Sequence, residues 1–261
     1  MTRVLAYLGL VWISISVLSC QKEPDESILG GGPAACTLIK AEAFDGGAVS
    51  DTAGYVYTDN KITRANRTDF SNVYIYSGDR IVRRNYLQNG NQLAYDTVLY
   101  NGDGTIRRIQ TYFSSPLLPI AILLLDYELS YSAGKLVRLV EKADTSVTGM
   151  PPVALYQYDY TYTGNNITSA VELDIEAASS DTLRYQYDNS SNYFKSRLLT
   201  DIFLSEINGQ TLPFAFSANN VTSLAQGGDT FAISYTLDDK KNLRELLVDG
   251  ELAIRYTYKC Q

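Results

Sequence analysis

The segment YQYDYTYTG at residues 156–164 places a tyrosine at every second position and ends at a glycine. Side chains of an extended strand alternate between its two faces, so the tyrosines share one face of a predicted β-strand. The glycine supplies the positive φ that a tight turn needs. This face either packs inside a sheet or offers a platform on which a ligand such as a sugar ring stacks, through Tyr156, Tyr158, Tyr160 and Tyr162.

The same pattern returns along the chain as an aromatic strand end, a tight turn, and an aliphatic residue about five positions later. The clearest copies are YVYTDNKITR, YIYSGDRIVRR, LYNGDGTIRR, LSYSAGKLVR and YTYTGNNITS, with weaker copies at Tyr187, Phe216, Tyr235 and Tyr258. Their spacing varies, which argues against a solenoid of fixed period. The repeats predict an all-β fold, an antiparallel meander of roughly 14 to 18 strands that forms a large rolled sheet or barrel-like shell.

The N-terminus has the features of a lipoprotein signal. Arg3 precedes an apolar run at residues 4–17 that is short for a membrane-spanning helix. The run ends in VLSC, which resembles the lipobox of bacterial lipoproteins. This resemblance implies that residues 1–19 are removed as a lipoprotein signal peptide and that Cys20 is acylated. The alternative is a plain signal peptide in which Cys20 is incidental.

The segment that follows the lipobox reads as a spacer. Residues 20–35 are acidic and then glycine-rich, which predicts a flexible tether ahead of a single β-hairpin-repeat domain at residues 36–261. Glu23, Asp25 and Glu26 resemble the acidic export signal of Bacteroidetes-type lipoproteins, although a solvated linker has the same composition. The predicted location is the outer membrane, with the lipid-anchored protein facing either the periplasm or the cell surface.

The hairpin copies also carry a family resemblance. YSAGKLVRLV and YSGDRIVRR resemble the tyrosine-aspartate (YD, or Rhs-type) hairpin repeats over about residues 55–258, although Ser, Thr or Asn usually stands where those repeats have aspartate. Together with the N-terminal signal, the chain resembles bacteroidete-type lipoproteins of unknown function that use such repeats. The resemblance implies a fold and a location, and it implies no reaction.

Composition narrows the chemistry. The chain has 261 residues, a net charge of −7 and no histidine, so histidine-based triads and histidine-ligated zinc are excluded. We expect no cofactor, no metal site and no nucleic-acid partner, because an acidic surface repels phosphate backbones. The stretch VELDIEA alternates Glu172, Asp174 and Glu176 with Leu173 and Ile175. Its carboxylates are expected on a solvated face, with a calcium site or a glycosidase pair as alternatives.

These observations favour a non-catalytic binding or scaffolding role. The partners expected are the membrane, through the lipid anchor, and a glycan or an envelope protein. The alternative function is a carboxylate-dependent polysaccharide hydrolase. The Asp-Thr-aliphatic triplets at Thr52, Thr97 and Thr182 resemble bacteroidete O-glycosylation acceptors, although chance matches occur readily in a threonine-rich β protein.

Two cysteines remain once Cys20 is assigned to the lipid. Cys36 begins the folded part and Cys260 nearly ends it. Export places them where disulfides form, and a rolled sheet brings its first and last strands together. The sequence therefore predicts a Cys36–Cys260 disulfide, with two buried free thiols as the alternative.

One apolar run interrupts the repeat pattern. The run Leu117–Leu125 is too short to cross a membrane. It is predicted to plug an open end of the sheet or to form a short helix, with a partner-binding loop as the alternative.

Overall fold

The computed structural model describes residues 36–59, 61–114, 121–143, 152–194 and 209–260. Sixteen antiparallel strands in sequence order form one closed barrel, which confirms the predicted all-β meander. The strands are β1 (Cys36–Asp45), β2 (Ala48–Thr58), β3 (Lys61–Asn66), β4 (Ser71–Ser77), β5 (Arg80–Gln88), β6 (Asn91–Tyr100), β7 (Ile106–Phe113), β8 (Ile122–Ser132), β9 (Lys135–Ala143), β10 (Val153–Thr163), β11 (Asn166–Asp174), β12 (Ser179–Ser191), β13 (Asn219–Gln226), β14 (Asp229–Leu237), β15 (Leu243–Val248) and β16 (Glu251–Cys260).

The barrel closes where its first and last strands meet. β1 pairs with β16, and Cys36 lies opposite Cys260 in that ladder. Their sulfur atoms are bonded at 2.00 Å across a sequence separation of 224 residues. We call the end that carries this bond and the β2–β3, β4–β5, β6–β7, β8–β9, β10–β11, β12–β13 and β14–β15 connections the disulfide end. The opposite end of the barrel is the far end.

Alternate side chains of the strands point into the barrel and form one core to which all sixteen strands contribute. At the disulfide end the core is aliphatic, because the residue that follows each tight turn points inward. Ile62, Ile81, Leu136 and Ile167 are fully buried there. This is the physical role of the aliphatic position in the repeat.

The repeated tyrosines tie each hairpin to its neighbour. The hydroxyl of Tyr76 donates to the carbonyl of Ile62 at 2.8 Å, and the hydroxyl of Tyr100 donates to the carbonyl of Ile81 at 2.8 Å. The accepting carbonyls lie beside β-bulges, where the ladder skips a residue. Equivalent bonds run from Tyr57 to Leu38, Tyr187 to Ile167 and Tyr235 to Val221. We call these five tyrosines the tyrosine ladder.

The connection between β12 and β13 folds into the lumen. Its described part, residues 209–217, includes helix α1 (Leu212–Phe216), and we call it the plug. Tyr160 and Tyr185 donate hydrogen bonds to the carbonyls of Gly209 and Gln210 at 2.9 and 3.1 Å. Wall side chains alone do not fill a barrel of sixteen strands, so the plug completes the core.

Close contact fixes the plug against the wall. A Cβ atom at Gly209 would lie 2.1 Å from the ring of Tyr158, so only glycine fits this position. Leu212 and Ser217 are fully buried. The plug therefore belongs to the folded interior.

Two sequence-based predictions differ from the structure. Phe216 was predicted to end a strand, but it ends α1, whose first turn contains Pro213, a residue that suits a helix start. The apolar run at Leu117–Leu125 is predicted to be a plug or a helix, but Ile122–Leu125 belong to β8, which pairs with β7 from Ile122 onward and with β9 from Leu125 onward. Residues 117–120 lie outside the described residues. A short apolar run cannot by its periodicity distinguish a buried strand from a helix.

Candidate functional site

The four tyrosines of β10 all face the lumen, but only part of the stripe is accessible. Tyr158 and Tyr160 are 4% and 6% exposed, so their rings pack in the core. Tyr162 is half-buried, with the ammonium group of Lys135 5.1 Å from its ring centre. Tyr156 is half-buried and is the member nearest the far end. Core packing thus accounts for the middle of the stripe, and a stacking role remains a prediction that rests on Tyr156.

Two of the three carboxylates of VELDIEA, Glu172 and Asp174, lie on the opposite face from the one predicted. Glu172 pairs directly with Tyr158, and Asp174 pairs with Tyr156. Because residues directly opposite in a ladder share a face, both carboxylates point into the lumen with the tyrosines. The apolar residues between them are exposed on the outside, Leu173 at 37% and Ile175 at 39%. Glu176 lies in the turn after β11 and is exposed.

Hydrogen bonds hold Glu172 in place at the inner surface. Its carboxylate accepts from the Tyr158 hydroxyl at 3.0 Å, from Gln210 Nε2 of the plug at 3.1 Å and from Gln226 Nε2 at 3.4 Å. Burial and the nearby Glu172 charge raise the pKa of Tyr158 well above its usual value, so this hydroxyl remains a donor. The plug thus brings a side chain from another part of the chain to the carboxylate.

A second carboxylate lies on the other side of β10. Glu141 of β9 pairs with Tyr156 and shares its inward face. Burial, with a contribution from Glu172, raises the pKa of Glu141 to about 7. Two strand spacings, together with the two-residue offset between Tyr156 and Tyr158, put the two glutamates roughly 12 Å apart at the backbone. We call Glu141, Tyr156, Glu172, Gln210 and Gln226 the lumenal carboxylate site.

The lumenal carboxylate site offers polar groups of several kinds. Glu172 is a fixed acceptor, Glu141 exchanges a proton near neutral pH, and Tyr156 contributes a partly accessible ring. Hydroxyl-rich ligands such as sugars are recognised by this combination of carboxylate, amide and aromatic groups. Within the described ranges, no three His, Cys, Asp or Glu side chains form a group that could hold a metal ion.

A buried ion pair occupies another part of the interior. Arg84 and Asp96 are each 1% exposed, and Nε of Arg84 donates to Asp96 at 2.7 Å. Asp96 also accepts from Tyr86 at 3.0 Å and from Thr111 at 2.7 Å. Burial lowers the pKa of Arg84 to about 10, which leaves it charged at neutral pH. Nη1 of Arg84 is the one buried polar atom of this ion pair that has no hydrogen-bond partner among the described residues. Sequence reasoning missed the network because its members come from three strands.

The remaining sequence-predicted sites lie elsewhere. Thr52, Thr97 and Thr182 occupy outward positions on β2, β6 and β12 and are half-buried, so O-glycosylation there stays a prediction. Cys20, the signal peptide and the tether lie outside the described residues.

The outer wall of the barrel carries ion pairs among exposed apolar side chains such as Val56, Ile75 and Val171. Lys142 and Glu128 form an ion pair at 2.8 Å, and Arg138 and Asp159 form one at 2.5 Å. Further outward pairs join Arg108 to Asp126 and Arg255 to Glu245. Among the described residues, no helix is long and apolar enough to cross a bilayer.

The fold is similar to that of solved porin-like proteins. One, from Bacteroides uniformis ATCC 8492, has a TM-score of 0.53 and 12% identity and covers 87% of this chain and 99% of its own. Another, from Bacteroides vulgatus ATCC 8482, has a TM-score of 0.55 and 14% identity and covers 86% of this chain and 99% of its own. At such identity the likeness concerns the fold alone. No protein-family profile and no curated protein matches the chain.

Proposed function

We propose that this protein is a lipid-anchored envelope protein whose barrel stands in water and binds a glycan non-catalytically at the lumenal carboxylate site. The observation that carries the proposal is the distribution of polarity in the barrel. Ion pairs lie on the outer wall, while a pre-organised carboxylate and a tyrosine ring face the lumen.

The outer wall supports the first part of the proposal. Barrels that span a membrane present an apolar band to the lipid, and an arginine or lysine at the bilayer midplane costs about 2–4 kcal/mol. Arg108, Arg138 and Arg255 all point outward from strand positions away from the turns. Several such costs would accumulate, which favours water as the medium around the wall. A lipid on Cys20 would then hold the domain at the membrane.

The lumenal carboxylate site supports the second part. Glu172 is already oriented by three donors, so little ordering is needed when a hydroxyl approaches. The acidic character of the site disfavours phosphorylated ligands and tolerates neutral sugars. If the lumenal carboxylate site binds no ligand, the first part of the proposal still stands, and the anchored barrel serves as a scaffold.

The anchor is tested with Cys20→Ala in the full-length chain. In the wild-type protein, removal of the signal peptide is expected to leave a mature chain that begins at residue 20 and partitions into detergent. The variant is expected to accumulate as an unprocessed or unanchored protein. A mature-length variant that still partitions into detergent would show that the lipobox prediction is wrong.

Glycan binding is tested by calorimetry of the protein starting at residue 20 against a panel of neutral and acidic oligosaccharides. We expect binding that Glu172→Gln weakens at least several-fold. Glu245→Gln, which alters a carboxylate on the outer wall, is the matched control and should leave affinity unchanged. Binding that both variants reduce equally, or that neither reduces, would contradict the assignment of the site.

A second candidate function rests on the two lumenal glutamates. Glycoside hydrolysis uses a general acid together with a second carboxylate, and Glu141, with a pKa of about 7, would be the acid here. If the protein is a carboxylate-dependent polysaccharide hydrolase, a reducing-sugar assay detects release and Glu141→Gln abolishes it. Binding without release supports the non-catalytic proposal.

A further inference from the structure

The two ends of the barrel carry opposite charge. Taking each connection with the two strand residues on either side, the described part of the disulfide end has eight cationic side chains against five carboxylates. The cations are Lys61, Arg80, Arg107, Lys135, Lys240, Lys241, Arg244 and Lys259, and the carboxylates are Asp59, Asp79, Asp103, Asp238 and Asp239. Five of the cations, at positions 107, 240, 241, 244 and 259, and four of the carboxylates, at positions 59, 79, 103 and 239, are exposed.

The far end shows the reverse balance. Its described connections hold seven carboxylates against two cationic side chains. The carboxylates are Asp45, Asp69, Asp174, Glu176, Asp229, Asp249 and Glu251, and the cations are Arg67 and Lys142. Arg67 is buried, so it contributes little to the surface of this end. Charge is therefore separated along the barrel axis, with the more positive end at the disulfide, although the total charge of the chain is negative.

We propose that the disulfide end is a membrane-docking surface that rests on the anionic lipid headgroups of the bilayer holding the anchor. The occupant follows from two observations. The described part of this end has three more cationic side chains than carboxylates, which is complementary to phosphate-bearing headgroups. The chain that leads to Cys20 leaves the barrel at Cys36, which lies at this same end. The inference rests on the proposed lipid anchor.

The tether and the charges act on different scales. Fifteen residues separate Cys20 from Cys36, and the tether predicted for them from the sequence would span roughly 20 Å on average. The barrel itself is of the order of 25 Å tall, so the tether keeps the domain near the surface without setting its orientation. The charge difference sets the orientation, because anionic headgroups attract the disulfide end and repel the far end.

This orientation has a consequence for the lumenal carboxylate site. Glu141 and Tyr156 lie toward the far end, which would point away from the membrane. A ligand would then reach the site from the aqueous side. Lipid headgroups would not compete for it.

Tryptophan reporters test the orientation directly. The single tryptophan of the chain is Trp12, which lies before Cys20, so a protein that starts at residue 20 contains none. Ser77→Trp places a reporter at the disulfide end and Val49→Trp places one at the far end, both at exposed positions. With Cys36 and Cys260 joined, Cys20 is the one free thiol and can be coupled to a maleimide lipid. Coupling makes the test independent of acylation in the cell.

Coupled protein on anionic vesicles that contain brominated lipid is expected to show several-fold stronger quenching of the Ser77→Trp reporter than of the Val49→Trp reporter. Zwitterionic vesicles, high salt or the added charge reversals Lys240→Glu and Lys241→Glu should remove most of the difference. Equal quenching of both reporters on anionic vesicles, or stronger quenching at the far end, would overturn the inference. If the Cys20→Ala variant still partitions into detergent at mature length, but the coupled protein shows the expected difference in quenching, only the proposed anchor is refuted.

Discussion

The two ends of this barrel handle buried polar groups in opposite ways. At the disulfide end, each hydroxyl of the tyrosine ladder donates to a carbonyl that a β-bulge has left available. At the far end, Glu141 lies in a partly buried position with a pKa of about 7, so its charge is disfavoured there. Satisfied polar groups stabilise a fold, and unfavourably placed charges mark sites that serve another purpose. The disulfide end thus holds the hydrogen-bonded tyrosine ladder, and the far end holds the proposed binding site.

The largest effect is expected from removing the covalent closure of the disulfide end. The combined change Cys36→Ser and Cys260→Ser should lower the free energy of unfolding by about 5 kcal/mol in the chain-entropy treatment of a loop this long. Urea unfolding of oxidised wild type and variant measures it, with reduced wild type as the control. Mass spectrometry of unreduced protein should show a peptide that joins the two cysteines. Identical midpoints for all three samples would mean that closure of the strands does not depend on the bond.

The next effect concerns the ion pair in the middle of the barrel. Arg84→Met leaves Asp96 buried without its charge partner and should destabilise the protein by about 3–5 kcal/mol. Adding Asp96→Leu removes the unpaired carboxylate, so the double variant should recover much of that loss. Thermal and urea unfolding of the two variants measure the difference. A double variant that is less stable than Arg84→Met would show that the hydrogen bonds of Asp96, and not its charge, are what the interior needs.

A pH-dependent effect is expected at Glu141. Its pKa is about 7 when folded and near 4.5 when unfolded, so the folded state holds the proton more tightly. Protonated Glu141 therefore makes its full contribution to the free energy of unfolding below about pH 4.5, and this contribution is lost as the pH rises through 7. Discounted for partial exposure, Glu141→Gln should stabilise the protein by about 2 kcal/mol at pH 8 and hardly at all at pH 5.

Unfolding curves at the two pH values test this prediction. Glu251→Gln, at an exposed position of the far end, is the control and should show no such pH dependence. Equal effects of Glu141→Gln at both pH values would contradict the raised pKa.

The smallest effect is expected from a single rung of the tyrosine ladder. Tyr76→Phe keeps the ring under Lys61 and removes one hydrogen bond to the carbonyl of Ile62, which should cost about 1 kcal/mol. Tyr95→Phe is the matched control, because that ring stacks on Tyr112 at the outer wall. Urea unfolding should separate the two variants by midpoint at unchanged slope. Equal unfolding midpoints for the two variants would mean that the tyrosine ladder stabilises the barrel through ring packing and not through its hydroxyl hydrogen bonds.

The sequence predicted the structure of the disulfide end better than that of the far end, because patterns of neighbouring residues specify the disulfide end. Each hairpin there is specified by neighbouring residues: an alternating tyrosine, a turn glycine and an aliphatic residue such as Ile81. Counting cysteines pointed to Cys36 and Cys260. The lumenal carboxylate site was not predictable in this way, because Glu141, Glu172 and Gln210 come from distant parts of the chain. No local signal marks residues 209–217 as a plug.

The sequence by itself determined that this chain forms many short antiparallel strands, because alternation and turn chemistry act between residues that are close along the chain. Only the tertiary structure decided which face of each strand is inside. The alternation in VELDIEA fits either orientation, and the pairing of Glu172 with the buried Tyr158 selects the inward one. Two further features depend on contacts between residues that are far apart in sequence. One is the closure of the barrel by β1 and β16, and the other is the filling of its lumen by the plug. A period of two residues defines two faces but does not say which one the barrel will enclose.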